Sequence, residues 1–168
     1  NIVTTTDTKE AMLTMVGYDT LADADKNYAV KAKKLKMSVS AFTISLGLDE
    51  NIDLNAFGLN CGYNVITTGG DTFEKIFQAH DRNELMMDDH CFHCAVICPS
   101  LTSGGKNNLI IRVVPVPMSN WSKFRESNPE EYQRKKQEVA DFYIDKVEKH
   151  LIPGLKKHIV YTDIASPA

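Results

Sequence analysis

The last third of the chain limits the fold more than any other stretch, because it spells out one long helix from start to stop. Asn128-Pro129-Glu130-Glu131 reads as a helix start, with a capping side chain, a proline in the first turn and a glutamate at the third position. From there Tyr132, Val139, Phe142, Tyr143, Val147 and Leu151 recur at helical spacing with charges between them, and Pro153-Gly154 stops the run. A helix of this kind has one apolar stripe and needs an apolar surface to lie on.

The upstream sequence offers that surface as strands. In "MSVSAFTISLGLD" (37–49), Phe42, Ile44 and Leu46 point one way while Met37, Val39 and Ala41 point the other. "CGYNVITTG" (61–69) is a second strand, closed by Gly69-Gly70. "HCFHCAVIC" (90–98) and "NNLIIRVVPVP" (107–117) read as a hairpin joined by the Ser- and Gly-rich "PSLTSGGK". The second of these is apolar from Leu109 to Val114, as a central strand would be, and Pro115 and Pro117 end its use as a ladder member. "HIVYTDI" closes the chain as one more strand.

Shorter helices fall between these strands. "NIVTTTD" is a strand leading into a helix capped by Asp7, with Glu10 completing a capping box, a stripe of Met12, Met15 and Val16, and a stop at Gly17. Residues 23–36 form a weak helix with Ala24, Tyr28, Ala32 and Leu35 on one side and four lysines on a solvated face. "DTFEKIFQAHD" (71–81) is a helix with Asp71 and Glu74 as a capping box and Phe73, Ile76 and Phe77 turned inward. The order of elements gives an α+β fold: an antiparallel or mixed β-sheet with helices packed on it, including the long C-terminal amphipathic helix.

Bulk properties exclude several classes. With 168 residues, 43% hydrophobic and 24% charged, the chain suits one globular domain over 1–168. A net charge of −3 argues against a general nucleic-acid binder, since no excess of positive charge is there to displace counterions. No apolar run approaches the roughly 20 residues of a membrane-spanning helix, and the first residues lack a signal peptide's basic start and apolar centre. Four cysteines are too few for a disulfide scaffold, so free thiols in a cytoplasmic protein are expected. The chain opens at Asn1 without methionine, as a piece cut from a longer protein would.

The stretch "HCFHCAVICPS" (90–100) invites a metal or iron–sulfur reading. Cys91, Cys94 and Cys98-Pro99 reproduce only part of the ferredoxin run, and no glycine or proline lies between Cys91 and Cys94 to make a zinc knuckle. On a strand, Cys91 faces away from Cys94. Cys94 and Cys98 share a face with His90, but at about 3.3 Å per residue they lie about 13 Å apart. One metal cannot reach both, so buried thiols on a strand are expected and no metal.

No other chemical motif is complete. "SLTSGGKN" imitates a phosphate loop, but Ser100 stands where the first glycine belongs and Asn107 follows the lysine. None of His80, His90, His93, His150 and His158 has metal-ligand spacing with a carboxylate. The paired acids Asp88-Asp89 and Glu130-Glu131 read as a strand entry and a helix start. No nucleophile-elbow glycines support a hydrolytic triad, and no dinucleotide fingerprint is present. No catalytic residue is assigned.

Several segments, in order, resemble the phytoene desaturase-related FAD-dependent oxidoreductases, the group of carotenoid desaturases, carotenoid isomerases and retinol saturases. "SVSAFTISLGLD" (38–49) is similar to a strand of that family. "CPSLTSGGKNNLIIRVVPVPMSNW" matches it at Pro99, Ser100, Gly105, Lys106, Pro115 and Trp121. The helix segment matches at Tyr132, Lys136, Val147, Pro153, Gly154, Leu155 and Ile159, and the ending "ASPA" places Ser166 where the family has threonine. The likeness covers residues 37–168, and "NIVTTTD" is similar to the strand that returns to the flavin domain. The loop "PSLTSGGK" is shorter than the family's and lacks its Asp-Pro and Ala-Pro.

The resemblance implies that this chain is the substrate domain, a fragment whose FAD-binding segments lie outside it. One sheet face would roof the flavin, and the substrate would be a long apolar, polyene- or isoprenoid-like molecule. The implied partners are the FAD-binding domain of the same polypeptide and that substrate. Peripheral contact with a membrane surface follows from such a substrate, although no basic amphipathic helix marks it. The fragment alone is not expected to turn over. The competing expectation is a stand-alone α+β module that binds an apolar ligand or a protein without redox activity.

Overall fold

The computed structural model describes residues 8–34, 39–59 and 62–167, with all their side chains except those of 118–120 and 122. The chain divides into two compact units, Asn1–Ser38 and Val39–Ala168. In the first, α1 (Thr8–Glu10) runs into a π turn over Ala11–Met15, and Gly17, at φ +87°, ends it where a left-handed backbone is needed. Met15 and Val16 are exposed, so the expected stripe of Met12, Met15 and Val16 is not buried. The second helix, α2 (Asp23–Lys33), buries Ala29 and Ala32 while Ala24 and Tyr28 face solvent. Its inward face is therefore not the one expected from Ala24, Tyr28 and Ala32, since a tyrosine can leave its hydroxyl hydrated and alanine cannot reach outward. The expected opening strand, the Asp7 cap, Leu35 and Met37 lie outside the described residues.

The second unit holds a sheet of five strands: β1 (Ser40–Leu48), β2 (Tyr63–Thr67), β3 (His93–Ile97), β4 (Asn108–Val116) and β5 (Ile159–Ala165). They lie in the order β2-β3-β4-β1-β5, every neighbouring pair antiparallel, which leaves β2 and β5 at the edges. Between them come α3 (Thr72–Asp81), the single turn α4 (Ser100–Ser103), α5 (Met118–Ser127) and α6 (Pro129–His150). The α+β class expected from the sequence is the one observed, with an antiparallel sheet and a long C-terminal helix.

Strand alternation makes the sheet two-sided. Phe42, Ile44 and Leu46 of β1 stand opposite Val113, Ile111 and Leu109 of β4, and Val96 of β3 stands opposite Ile111. All seven are buried in one cluster with Val139, Ala140, Tyr143, Ile144 and Val147 of α6. Burying each such large apolar side chain contributes roughly 1.5–3 kcal/mol, so this interface is a main source of the unit's apolar stabilisation. The start of α6 is as expected: the Asn128 side chain accepts a bond from the Glu131 N–H at 3.1 Å, and Pro129 occupies the first turn.

Three local readings are corrected. Pro115 does not end β4, because Val116 still pairs with Ser40 across a register shift between Ser40 and Phe42. An extra residue on the β4 side absorbs the proline's missing N–H. In α3 the Asp71 side chain makes no capping bond and instead pairs with Lys75 at 2.6 Å. Its inward residues are Thr72, Ile76 and Ala79, at helical spacing i, i+4, i+7, while Phe73 and Phe77 are about half exposed. Finally, β3 starts at His93 rather than His90. Residues 88–91 form a tight turn in which the Cys91 N–H bonds the Asp88 carbonyl at 3.2 Å and the His90 N–H bonds Asp88 Oδ1 at 2.7 Å. No helix among the described residues is long and apolar enough to cross a membrane.

Candidate functional site

The sulfur-rich strand is part of the core. Cys94 and Cys98 are fully buried beside Val96, Cys91 is buried in the turn before the strand, and all three are reduced thiols outside any disulfide. Burial pushes the Cys94 thiol up to about 12, so it is a protonated, unreactive group at neutral pH. His90, expected on their face, is instead exposed on the 88–91 turn. Among the described residues no three His, Cys, Asp or Glu side chains come together as metal ligands.

The residues that carry the family resemblance sit at structural joints. The Tyr132 hydroxyl meets Ser166 Oγ at 2.7 Å, tying the first turn of α6 to the chain just beyond β5. Val147 and Leu155 are core residues, Gly154 takes φ +85° after the long helix, and Lys136 lies over the Tyr132 ring at 5.4 Å. Pro115 follows a cis peptide bond. Ser100 Oγ is buried without a hydrogen-bond partner among the described residues, and Lys106 is exposed on the loop after α4. Of the set, Trp121 lines a cavity.

Two features could meet a ligand. The first is the sheet face opposite α6. Along its centre run Ala41, Thr43, Ser45 and Gly47 of β1 and Ala95 of β3, all small, with the Arg112 guanidinium exposed between Thr43 and Ala95. Tyr63 and Val65 of β2, and Tyr161 of β5, stand exposed towards the two edges. A Cβ on Gly47 would come within 3.2 Å of the Tyr161 Cβ, so the missing side chain is what lets the tyrosine sit close. At one corner Thr67 Oγ1 and His93 Nδ1 are 2.7 Å apart, and the Phe73 ring leans on the imidazole with centroids 4.6 Å apart. Desolvation lowers the His93 pKa and favours a neutral ring. No carboxylate among the described residues orients that ring, so the pair can exchange a hydrogen bond but lacks the third member of a triad.

The second feature is a cavity of about 680 Å³ on the helix side of the sheet, between α5, the start of α6 and the 83–87 segment. Leu85, Met87, Pro117, Trp121 and Phe124 give it apolar walls. Trp121 is tied inward by ring contacts with Phe42 at 5.5 Å and Tyr132 at 6.1 Å. The wall of 83–87 is itself anchored, because the Tyr143 hydroxyl donates to the Met86 carbonyl at 3.2 Å and Lys146 forms an ion pair with Asp89. Lys146 is buried beneath the Phe92 and Phe142 rings, 5.6 and 4.7 Å from their centroids, where the negative ring faces also receive its charge. Lys123, Glu84, Glu131, Arg134 and Lys135 line the rim.

Of the cavity's residues the sequence singles out Pro117, Trp121 and Glu131, and none of them as part of a ligand site. Leu85, Met87, Lys123 and Phe124 come from separate segments with no motif, and no sequence signal joins them. No family model matches the chain, and no curated protein matches it.

Proposed function

We propose that this chain is the substrate domain of an FAD-dependent oxidoreductase acting on C–H or C=C bonds of a long apolar substrate. The observation that carries the reading is the two-sided sheet: one face is sealed by α6, while the other presents small side chains around Arg112. A flat run of Thr43, Ser45 and Gly47 allows a planar ring system to approach the backbone, and the resemblance over 37–168 supports the same role. The chain has no glycine fingerprint of its own, so the FAD-binding segments would belong to flanking sequence of the same polypeptide. A bound flavin would supply the hydride chemistry. This chain's residues would cover it, exclude water and hold the substrate, with Arg112 presenting a positive charge to the covered side.

The test is the visible absorption spectrum of the intact gene product with its flanking sequence. Two flavin bands that bleach on reduction support the reading, and a colourless protein refutes it. A second reading, an apolar-ligand module without redox activity, is favoured by the cavity beside Trp121. It predicts a colourless product that still binds apolar ligands.

A further inference from the structure

We propose that the cavity between α5, α6 and the 83–87 segment binds an amphipathic anion: an unbranched carboxylate whose alkyl chain lies against Trp121 and Phe124 and whose head group meets Lys123. The volume, about 680 Å³, lies within the range of small-molecule sites. Leu85, Met87, Pro117, Trp121 and Phe124 supply its apolar lining, and ring contacts to Phe42 and Tyr132 hold the Trp121 indole in place.

Charge pairing at the rim selects the head group. Arg134 is ion-paired with Glu131 and lies 3.6 Å from Glu138, Lys135 bonds Glu138 at 2.7 Å, and Glu84 bonds Arg82 at 3.1 Å. Among the described residues Lys123 has no carboxylate partner. The rim therefore carries one unmatched ammonium beside an apolar chamber. A carboxylate would complete it with a charge-assisted hydrogen bond between opposite charges, a neutral hydroxyl would accept a weaker bond that leaves the charge unmatched, and a cationic head would be repelled. Because Lys123 is exposed, the head group can stay partly hydrated while the chain is buried. The proposal does not rest on the flavin reading, since the cavity is on the helix side of the sheet and the flavin would lie on the other.

Trp121 is the sole tryptophan of the chain, so its fluorescence reports this site without labelling. The full 168-residue chain is titrated with decanoate, held below its micelle concentration, and separately with decan-1-ol. Decanoate should produce a saturable change in Trp121 emission and bind about tenfold more tightly than the alcohol, the factor expected for one charge-assisted bond. Lys123→Met should abolish that tenfold difference by weakening decanoate far more than decan-1-ol, and Lys123→Arg should keep it. Equal affinities in the wild-type chain, an unchanged preference in Lys123→Met, or no saturable response to either compound overturns the proposal. Thermal unfolding of both variants at the wild-type midpoint confirms that the comparison is made on folded protein.

Discussion

Ile110 and Ile111 are adjacent on β4 and chemically identical, yet they stand on opposite faces of the sheet. Ile111 is fully buried in the core, and Ile110 is half-buried on the open face. Replacing each with alanine therefore measures how two-sided the sheet is. Ile111→Ala removes buried methylenes and leaves a cavity under α6, at a cost of about 2–5 kcal/mol. For a unit of about 130 residues, with an unfolding entropy of about 2.1 cal/mol/K per residue, that is a fall of roughly 7–18 °C in Tm. Ile110→Ala loses a partly hydrated side chain and leaves no closed cavity, so about 1 kcal/mol and roughly 4 °C are expected. Thermal unfolding by circular dichroism reads both. Equal shifts, or a larger one for Ile110, would refute the assignment of faces. In the intact protein the same pair becomes a test of cover: if another domain lies over the open face, the cost of Ile110→Ala rises towards that of Ile111→Ala.

Three other perturbations probe single contacts. Burial holds the His93 pKa below its ordinary 6.5, so the unfolded chain binds more protons. This group's contribution is fully present above about pH 6.5 and is lost as pH falls through the lowered value; His93→Gln should flatten the change in denaturation midpoint between pH 7.5 and 5.5. Tyr132→Phe and Ser166→Ala each remove the 2.7 Å bond between α6 and the end of β5. Each should cost about 1 kcal/mol, and the double variant should cost little more than one single; additive losses in a urea titration would show that the bond contributes nothing. A Cβ at Gly62 would lie 2.6 Å from Thr102 Cγ2, and turning Thr102 away gives up its 3.0 Å bond to the Pro99 carbonyl. Gly62→Ala should therefore lose about 1–3 kcal/mol, and Thr102→Ser in that background should restore part of it.

What the sequence disclosed follows from the range of the forces involved. The long helix was legible because its cap, proline, apolar spacing and stop are all local, and Asn128, Val139, Tyr143 and Val147 behave as read. The parity of Phe42, Ile44 and Leu46, and of Cys94 and Cys98, was legible because a strand's alternation needs no partner to define it. In α3 the periodicity allowed two neighbouring faces, and contact with the sheet chose Thr72, Ile76 and Ala79 over the two phenylalanines. The Asp88 turn escaped notice because "DDHCFHC" alternates well enough to pass for strand, while its side-chain hydrogen bond to the His90 N–H decides otherwise. The cavity was illegible for a different reason. Lys123 stands out only after Arg134 and Lys135 are matched with Glu131 and Glu138 and Glu84 with Arg82, and its position beside Leu85 and Met87 depends on where the 83–87 segment folds back.

Among the described residues β5 has β1 as its one neighbour, and that edge bears on how such a chain behaves in company. Its sequence, "IVYTDIA", is rich in β-branched and aromatic residues, and four consecutive positions from Val160 to Asp163 are exposed. An edge strand of that composition, with no second partner among the described residues, is a template for another chain's backbone, and Asp163 is the sole charge within it. Asp163→Val would turn seven residues into an uncharged, proline-free run of the kind that stacks into fibrils. Light scattering at raised concentration should then climb with time for the variant and stay flat for the parent, the outcome expected if that one carboxylate guards the chain against self-assembly.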